Sequence, residues 1–310
     1  MAEIELSVII LSFNTQKFIK DCLLSVAKAV KNVTGTVEVI FVDNASTDES
    51  IAVIESEKKA VEDEKLAIKV LTSSTNTGFA GGCNLGIKEA RGQYLLFLNM
   101  DTMVFPEAFK KAIDFMESDS RYGAMTPYTR LVSGGMDPDC HRGFPTPWAS
   151  ITYFLGLEKL FPQSRFFGQY HRFYLDLSKP HEIDAGFGTF LMVRKEVVDK
   201  IGPWDEQYFF YGEDLDYFYR IKKAGLKVMF YPEPLLWHYK GGSSGLRKES
   251  RKISPASRET RMQVAKSSVK AMEIFYKKFY RNQYPSFVTF LVLLAIKIKG
   301  SFRIIKYYFS

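Results

Sequence analysis

Apolar and polar positions follow two alternating rhythms along the first hundred residues. Leu6–Ser12 (LSVIILS) is a continuous apolar run rich in β-branched residues, the pattern of a buried strand. Over Gln16–Ala29 the apolar positions Phe18, Ile19, Cys22, Leu23 and Val26 recur at helical spacing. The same pair of signals repeats twice, and a further strand follows. Val37–Val42 predicts a strand and Ser46–Glu57 a helix; Ile68–Leu71 a strand and Ala80–Ala90 a helix; Tyr94–Leu98 a fourth strand. A β-α-β-α-β-α-β order implies a parallel sheet with helices on both faces, a Rossmann-like half in an α/β protein.

The rhythm weakens after residue 120. Ser133–Pro147 (SGGMDPDCHRGFPTP) is loop chemistry. Ile183–Val193 predicts one strand despite Gly186 and Gly188; Glu213–Ala224 predicts a helix and Lys227–Tyr231 a strand. Lys240–Ser257 is rich in Gly, Ser, Lys and Arg and predicts a mobile linker. Two helices follow at 257–281 and 286–309, broken by Pro285. The expected organisation is a nucleotide-binding domain over 1–242 and a basic helical extension over 243–310.

Charge sharpens that division. Lys240–Ser310 holds 16 Lys or Arg against 3 Asp or Glu, a net of +13, so the first 239 residues carry −6 of the whole-chain +7. Phe287–Ile296 is apolar apart from Thr289, but Lys297 and Lys299 end the run well short of the roughly 18–20 residues that span a bilayer. Basic and aromatic residues then interleave to Phe309, which suits a helix lying on a membrane surface better than one binding nucleic acid. A helix packed on the domain or in a homodimer is the alternative. Three cysteines without a CxxC pair give no disulfide framework and point to a reducing compartment. The N-terminus lacks the basic and long apolar regions of a secretion signal.

In open α/β sheets ligands bind beyond the carboxyl ends of the strands. Ser12-Phe13-Asn14, Asp43-Asn44, Thr75-Asn76-Thr77 and Asn99-Met100-Asp101 fall there. Asp43 can accept a hydrogen bond from a nucleobase, although capping explains its neighbours. Gly78, Gly81, Gly82 and Gly86 surround a helix start, where backbone amides can approach a phosphate. Asp101 ends a buried strand, as a carboxylate anchoring a divalent cation would, or as a turn residue would. Glu213, Asp214 and Asp216 lie among aromatic residues. Such surroundings can raise a carboxyl pKa and serve a general base, while the helix dipole alone also favours acids at that position. Asp216 and Arg220 are spaced for an i,i+4 ion pair. His238, after Trp237, is a core histidine or a ligand.

Taken together, these segments resemble the inverting glycosyltransferases of family 2 with the GT-A fold. The resemblance rests on SVIILSFN (7–14), VIFVDNASTD (39–48), NTGFAGGCNLG (76–86), YLLFLNMDT (94–102), DAGFGTFLMVRKEV (184–197), WDEQYFFYGEDLDYFYR (204–220) and WH (237–238). Its GFAGGCN run and the CHRGFPTPW loop (140–148) look most like bacterial rhamnosyltransferases that use dTDP-rhamnose. The resemblance implies that Leu11, Ser12, Phe13, Asn14, Asp43 and Asn44 contact the base and ribose. It implies that Asn76, Gly78, Phe79, Ala80, Asn84, Asn99 and Met100 line the nucleotide sugar, and that Asp101 and His238 hold Mg2+ or Mn2+. Asp214 would be the catalytic base, supported by Glu213, with Trp148 and Trp204 at the acceptor. Asn99 departs from a two-carboxylate motif, since an amide is a neutral and weaker ligand. The implied reaction moves a sugar, rhamnose first, to a lipid-linked or polysaccharide acceptor at the cytoplasmic face of the cell membrane. Donors carrying UDP or GDP with galactofuranose, glucose or mannose are the nearest alternative, and a non-catalytic carbohydrate-binding scaffold is the distant one.

Overall fold

A computed structural model describes residues 4–241 and 258–308. The linker expected at 240–257 lies, from residue 242 onward, outside the described residues. The first half follows the expected order: β1 (Ile4–Ser12), α1 (Gln16–Val30), β2 (Thr36–Asp43), α2 (Ser50–Val61), β3 (Leu66–Thr72), α3 (Gly78–Glu89) and β4 (Tyr94–Asn99). β1 pairs in parallel with β2 and β4, and β2 with β3. Central positions of β1, β2 and β4 are buried on both faces, which is why these strands read as unbroken apolar runs. Helix α2 begins four residues later than the sequence suggests. The carboxylate of Asp43 accepts from Ser46 N, and the side chain of Asn14 accepts from Thr47 N, so those amides are spent on a turn.

The second half departs further. β5 (Thr102–Val104), α4 (Ala108–Glu117) and β6 (Tyr122–Leu131) follow, then the short helices α5 (Pro147–Phe154) and α6 (Leu157–Leu160). In place of one strand over 183–193 the chain forms β7 (His181–Ile183) and β8 (Phe190–Arg194). The glycine-bearing segment between them leaves the ladder. Gly186 lies against the Thr126 side chain and Gly188 against the Phe79 ring, with no room for a Cβ at either. α7 (Lys195–Ile201), α8 (Glu213–Lys223) and β9 (Lys227–His238) complete the body.

Among the described residues nine strands form one mixed sheet, ordered β3-β2-β1-β4-β8-β6-β9-β5 with β7 beside β9. The chain winds from β1 out to β3 and returns to β4 on the other side of β1. That reversal opens a crevice at the carboxyl ends of β1 and β4. α9 (Arg258–Phe275) continues into a π-helical turn, Tyr276–Tyr280, and α10 (Ser286–Tyr308) folds back on it. This extension packs on the body through Tyr208, Ala271, Phe275 and Tyr280. Lys278 bridges Asp205 and Asp216 at 2.6 and 2.5 Å, and Asp216 also makes the expected pair with Arg220 at 2.7 Å.

Candidate active site

Two clusters of charged side chains lie beyond the strand ends. Asp101 follows β4 and is 1% exposed; His238 ends β9 and is 5% exposed. Pairing of Thr102 with His238 sets β5 and β9 antiparallel and brings the two side chains together, with Nε2 of His238 3.6 Å from Oδ1 of Asp101. On its other edge His238 pairs with Leu131, where β6 runs into a turn through Gly134 and Gly135, both at positive φ. The turn sends Asp137 back beside the imidazole. Nδ1 of His238 lies 3.1 Å from Oδ2 of Asp137, which is fully buried. Lys240 pairs with Asp137 and, at 2.5 Å, with Asp139.

This order gives each ring nitrogen its partner: Nδ1–H donates to Asp137, and Nε2 faces Asp101. Burial by itself would lower the imidazole pKa, but the Asp101 and Asp137 carboxylates outweigh it and hold His238 at about 9. The pocket therefore favours a positive charge between Asp101 and the ring, either a proton or a cation. A buried carboxylate oxygen facing an imidazole nitrogen whose other nitrogen donates to a carboxylate is a donor set that fits a divalent metal. Asn99 donates its amide N–H to Thr189 Oγ1 at 3.0 Å.

The second cluster stands at the start of α8. Arg142, 8% exposed, donates to Oδ2 of Asp214 at 2.6 Å and to the carbonyl of Gly186. Glu213 is buried beside it with Oε2 unpartnered. Burial first, then the Asp214 carboxylate, holds the Glu213 carboxyl well above its ordinary range. One short segment joins the clusters. Ala185 exchanges backbone hydrogen bonds with Arg142, Gly186 accepts from its guanidinium, Phe187 lies against the His238 ring, and Thr189 binds Asn99. This is the stretch that sequence reading assigned to a plain strand.

The remaining expected residues divide into three groups. At the β2 end Asp43 spends Oδ2 on Ser46 N, while Oδ1 is buried with no hydrogen-bond partner and remains available to a ligand. Ser12 and Asn14 bond within the β1–β2 end, to Thr15 and Thr47, and Phe13 is exposed. Asn44 acts as a bracket: its amide donates to Asn76 and Gly78 O and accepts from Thr77. Asn84 likewise ties α3 to Trp204 and Glu206. The glycines of α3 have a packing reason. A Cβ on Gly82 would stand 2.2 Å from Leu11, and one on Gly78, at φ +75°, 2.3 Å from the carbonyl of Phe209. Ala80 and Met100 lie in the core, with Phe79 packed at its edge. Trp204, expected at the acceptor, is instead a core residue, 2% exposed and stacked on Tyr217 at 4.3 Å. Trp148 is exposed, with its indole N–H on the Phe166 carbonyl. Asp137, Arg142 and Lys240 escaped sequence reading. For Asp137 and Arg142 the available signal was DPDCHR, a charged cluster in a Gly- and Pro-rich loop.

A family model described as Glycosyl transferase family 2 matches residues 7–202. The chain is 25% identical over 228 residues to the low-salt glycan biosynthesis hexosyltransferase of Haloferax volcanii, covering 72% of this chain and 64% of that protein. It is 25% identical over 222 residues to the N-acetylglucosaminyl-diphospho-decaprenol L-rhamnosyltransferase of Mycobacterium tuberculosis, covering 67% and 68%. The chain thus spans less than two thirds of the first relative's length. Among solved structures, the mannosyltransferase of Pyrobaculum calidifontis in complex with GDP-Man and Mn2+ superposes with a TM-score of 0.58 at 14% identity, over 98% of this chain and 73% of that one. That likeness is one of fold.

Proposed function

Because the chain belongs to glycosyl transferase family 2 and carries the GT-A fold, we propose that it transfers a sugar from a nucleoside diphosphate to an acceptor hydroxyl with inversion at the anomeric carbon. One observation carries the reading. The pair Asp101 and His238 and the pair Asp214 and Arg142 meet neighbouring residues of one segment beyond the strand ends: Gly186 accepts from Arg142, and Phe187 lies against the His238 ring. One pair suits a diphosphate with its cation, and the other suits proton removal.

Asp214 takes the proton of the acceptor hydroxyl as that oxygen bonds to the anomeric carbon, and the bond to the diphosphate oxygen breaks on the opposite face. Arg142 holds the Asp214 carboxylate in one orientation. Glu213, protonated by its burial, adds no second negative charge beside the base. Oδ1 of Asp43 accepts from the base or ribose. Asp101 and His238 would hold Mg2+ or Mn2+, which supplies positive charge for the departing diphosphate; Asp137 fixes the His238 ring for that task.

For the donor we favour dTDP-rhamnose, supported by the CHRGFPTPW loop and by a rhamnosyltransferase among the relatives. The acceptor is a lipid-linked or polysaccharide glycan, met at the cytoplasmic face of the membrane, where the basic C-terminal extension binds. A panel of nucleotide sugars with nucleotide release as readout tests the reading. Release from dTDP-rhamnose above all others is expected, and dependent on Mg2+ or Mn2+. Preference for a UDP- or GDP-sugar overturns the donor, an undiminished rate in excess EDTA overturns the metal, and no release from any donor overturns the reaction.

A further inference from the structure

The exposed large apolar side chains are concentrated in two places away from the carboxylate site. On α10, Phe287, Phe290, Leu294, Ile298, Phe302 and Ile305 recur three or four residues apart and form a stripe open to solvent, from 41% to 70% exposed. The opposite side of the same helix is already used. Val292, Leu293 and Ile296 pack toward Tyr208 and α9, and Gly300 lies against Val269. The second place is the hairpin of α5 and α6, where Leu155 and Leu160 are both 69% exposed and Phe154 and Phe161 both 51%. The two places adjoin, since the ammonium of Lys299 on α10 sits over the ring of Phe154.

We propose that α10 and the α5–α6 hairpin together form one docking face for an anionic lipid bilayer, and that this face delivers a lipid-linked acceptor to Asp214. Charge complementarity identifies the occupant. Lys297 and Lys299, both exposed, flank the stripe, while Arg303 is turned to Ser268 on α9; cations beside an apolar stripe are the arrangement that seats a helix at the boundary of headgroups and acyl chains. Among the described residues no helix is long and apolar enough to cross a membrane, so α10 lies in the interface. A second copy docked on this face by two-fold symmetry would bring these cations toward their own counterparts, because such an interface uses the same patch twice. The hairpin also links the face to the chemistry. Thr146 caps α5, four residues after Arg142, whose guanidinium grips Asp214. An acceptor sugar on a membrane-embedded carrier therefore approaches beside the base. The acceptor half of this inference rests on the transferase reading; the docking half does not.

Flotation with phosphatidylglycerol vesicles, without any sugar donor, tests the face. The full chain is expected to float with these vesicles, less with phosphatidylcholine, and less as salt rises. A double variant Leu155→Ser, Leu160→Ser is expected to lose partition on the order of tenfold or more, as is Phe287→Ser, Phe302→Ser. All four side chains are more than two thirds exposed, so unchanged melting curves are expected. Hairpin variants that float like the parent overturn the composite face. A parent that ignores vesicles but sediments as a dimer, which the variants dissociate, overturns the bilayer in favour of a second copy. Nucleotide release from donor alone is expected to be the same in parent and variants, whereas transfer to a glycolipid acceptor in vesicles falls. Equal transfer by both overturns the delivery of acceptor. Failure of the transferase reading would show separately, as no nucleotide release by the parent.

Discussion

Replacing Arg142 by Met keeps most of the side-chain length and removes the charge. The pair it breaks is enclosed, with the Arg142 side chain 9% exposed and that of Asp214 15%, at 2.6 Å. At an effective dielectric near 20 the Coulomb attraction at that distance is about 6 kcal/mol. Desolvation of both ions takes much of it back, so the intact pair is a weak source of stability. Removing one partner is different, because it strands a carboxylate without its counter-charge, which costs about 3–5 kcal/mol. The carbonyl of Gly186 also loses its donor, adding about 1 kcal/mol. Urea unfolding of the variant should therefore show a loss of about 4–6 kcal/mol, a value reached by few substitutions.

The kinetic effect has a separate signature. A carboxylate freed from its guanidinium keeps only the Leu215 N–H on Oδ1, and misplacement of a reacting group by about 1 Å costs on the order of a hundredfold in rate. Turnover should fall by that order while the donor KM changes little. Arg142→Lys keeps the charge but not the fork that reaches both Asp214 and Gly186, and should recover part of the stability and little of the rate. A stability change below about 1 kcal/mol together with turnover within threefold of the parent would refute the argument.

Further outcomes follow from the same geometry. Asp214→Asn removes the proton acceptor and should abolish transfer while nucleotide binding, measured by calorimetry, survives; near-normal turnover would sink the assignment of the base. Asp137→Asn takes away the anion that holds the His238 ring and should weaken Mn2+ binding, followed by electron paramagnetic resonance, on the order of 10–100-fold. Asn99→Asp should tighten the same binding, and unchanged affinity would mean that residue 99 does not face the cation. Acid should destabilise the chain through His141, which burial first of all pushes down to about 4 from the usual 6.5. Below pH 6.5 the unfolded chain takes up a proton that the folded chain refuses. Stability is therefore lost from pH 6.5 down to about 4, by about 3 kcal/mol at most. His141→Gln, whose amide can serve the contacts to His171 O and His181, should flatten that slope in melting curves taken against pH.

The first half of the fold was legible because its strands are buried on both faces. Val39–Val42 and Leu95–Leu98 are apolar at every position, and a turn residue follows each. β6 was not read, because buried Thr126 and Thr129 and a proline at 127 interrupt its apolar positions. Its place in the sheet comes from pairing with β9, a hundred residues downstream, which no local pattern encodes. The site divides in the same way. Asp43 and Asp101 could be picked out because each stands at or just past the end of a legible strand. Arg142 acts on Asp214 from 72 positions away, Asp137 on His238 from 101, and Lys240 on Asp137 from 103. Their chemistry exists only after the second half of the sheet has formed.

Asn99 shows what that difference does to an inference. Along the sequence it reads as a lost carboxylate, a defect next to Asp101. In the fold its amide N–H holds Thr189, at the end of the segment that also carries Gly186 and Phe187. A carboxylate at 99 would add a further negative charge to a region that already contains Asp101, Asp137 and Asp139, against Lys240 and the His238 ring. The second anion of the site is Asp137, one step removed, acting through the imidazole. It makes His238 a better donor and is itself neutralised by Lys240. Neutrality at 99 and a buried carboxylate at 137 are then two parts of one charge arrangement. The double variant Asn99→Asp, Asp137→Asn should accordingly recover more Mn2+ affinity than Asn99→Asp gains in the parent, and effects that simply add would show that the two positions act independently.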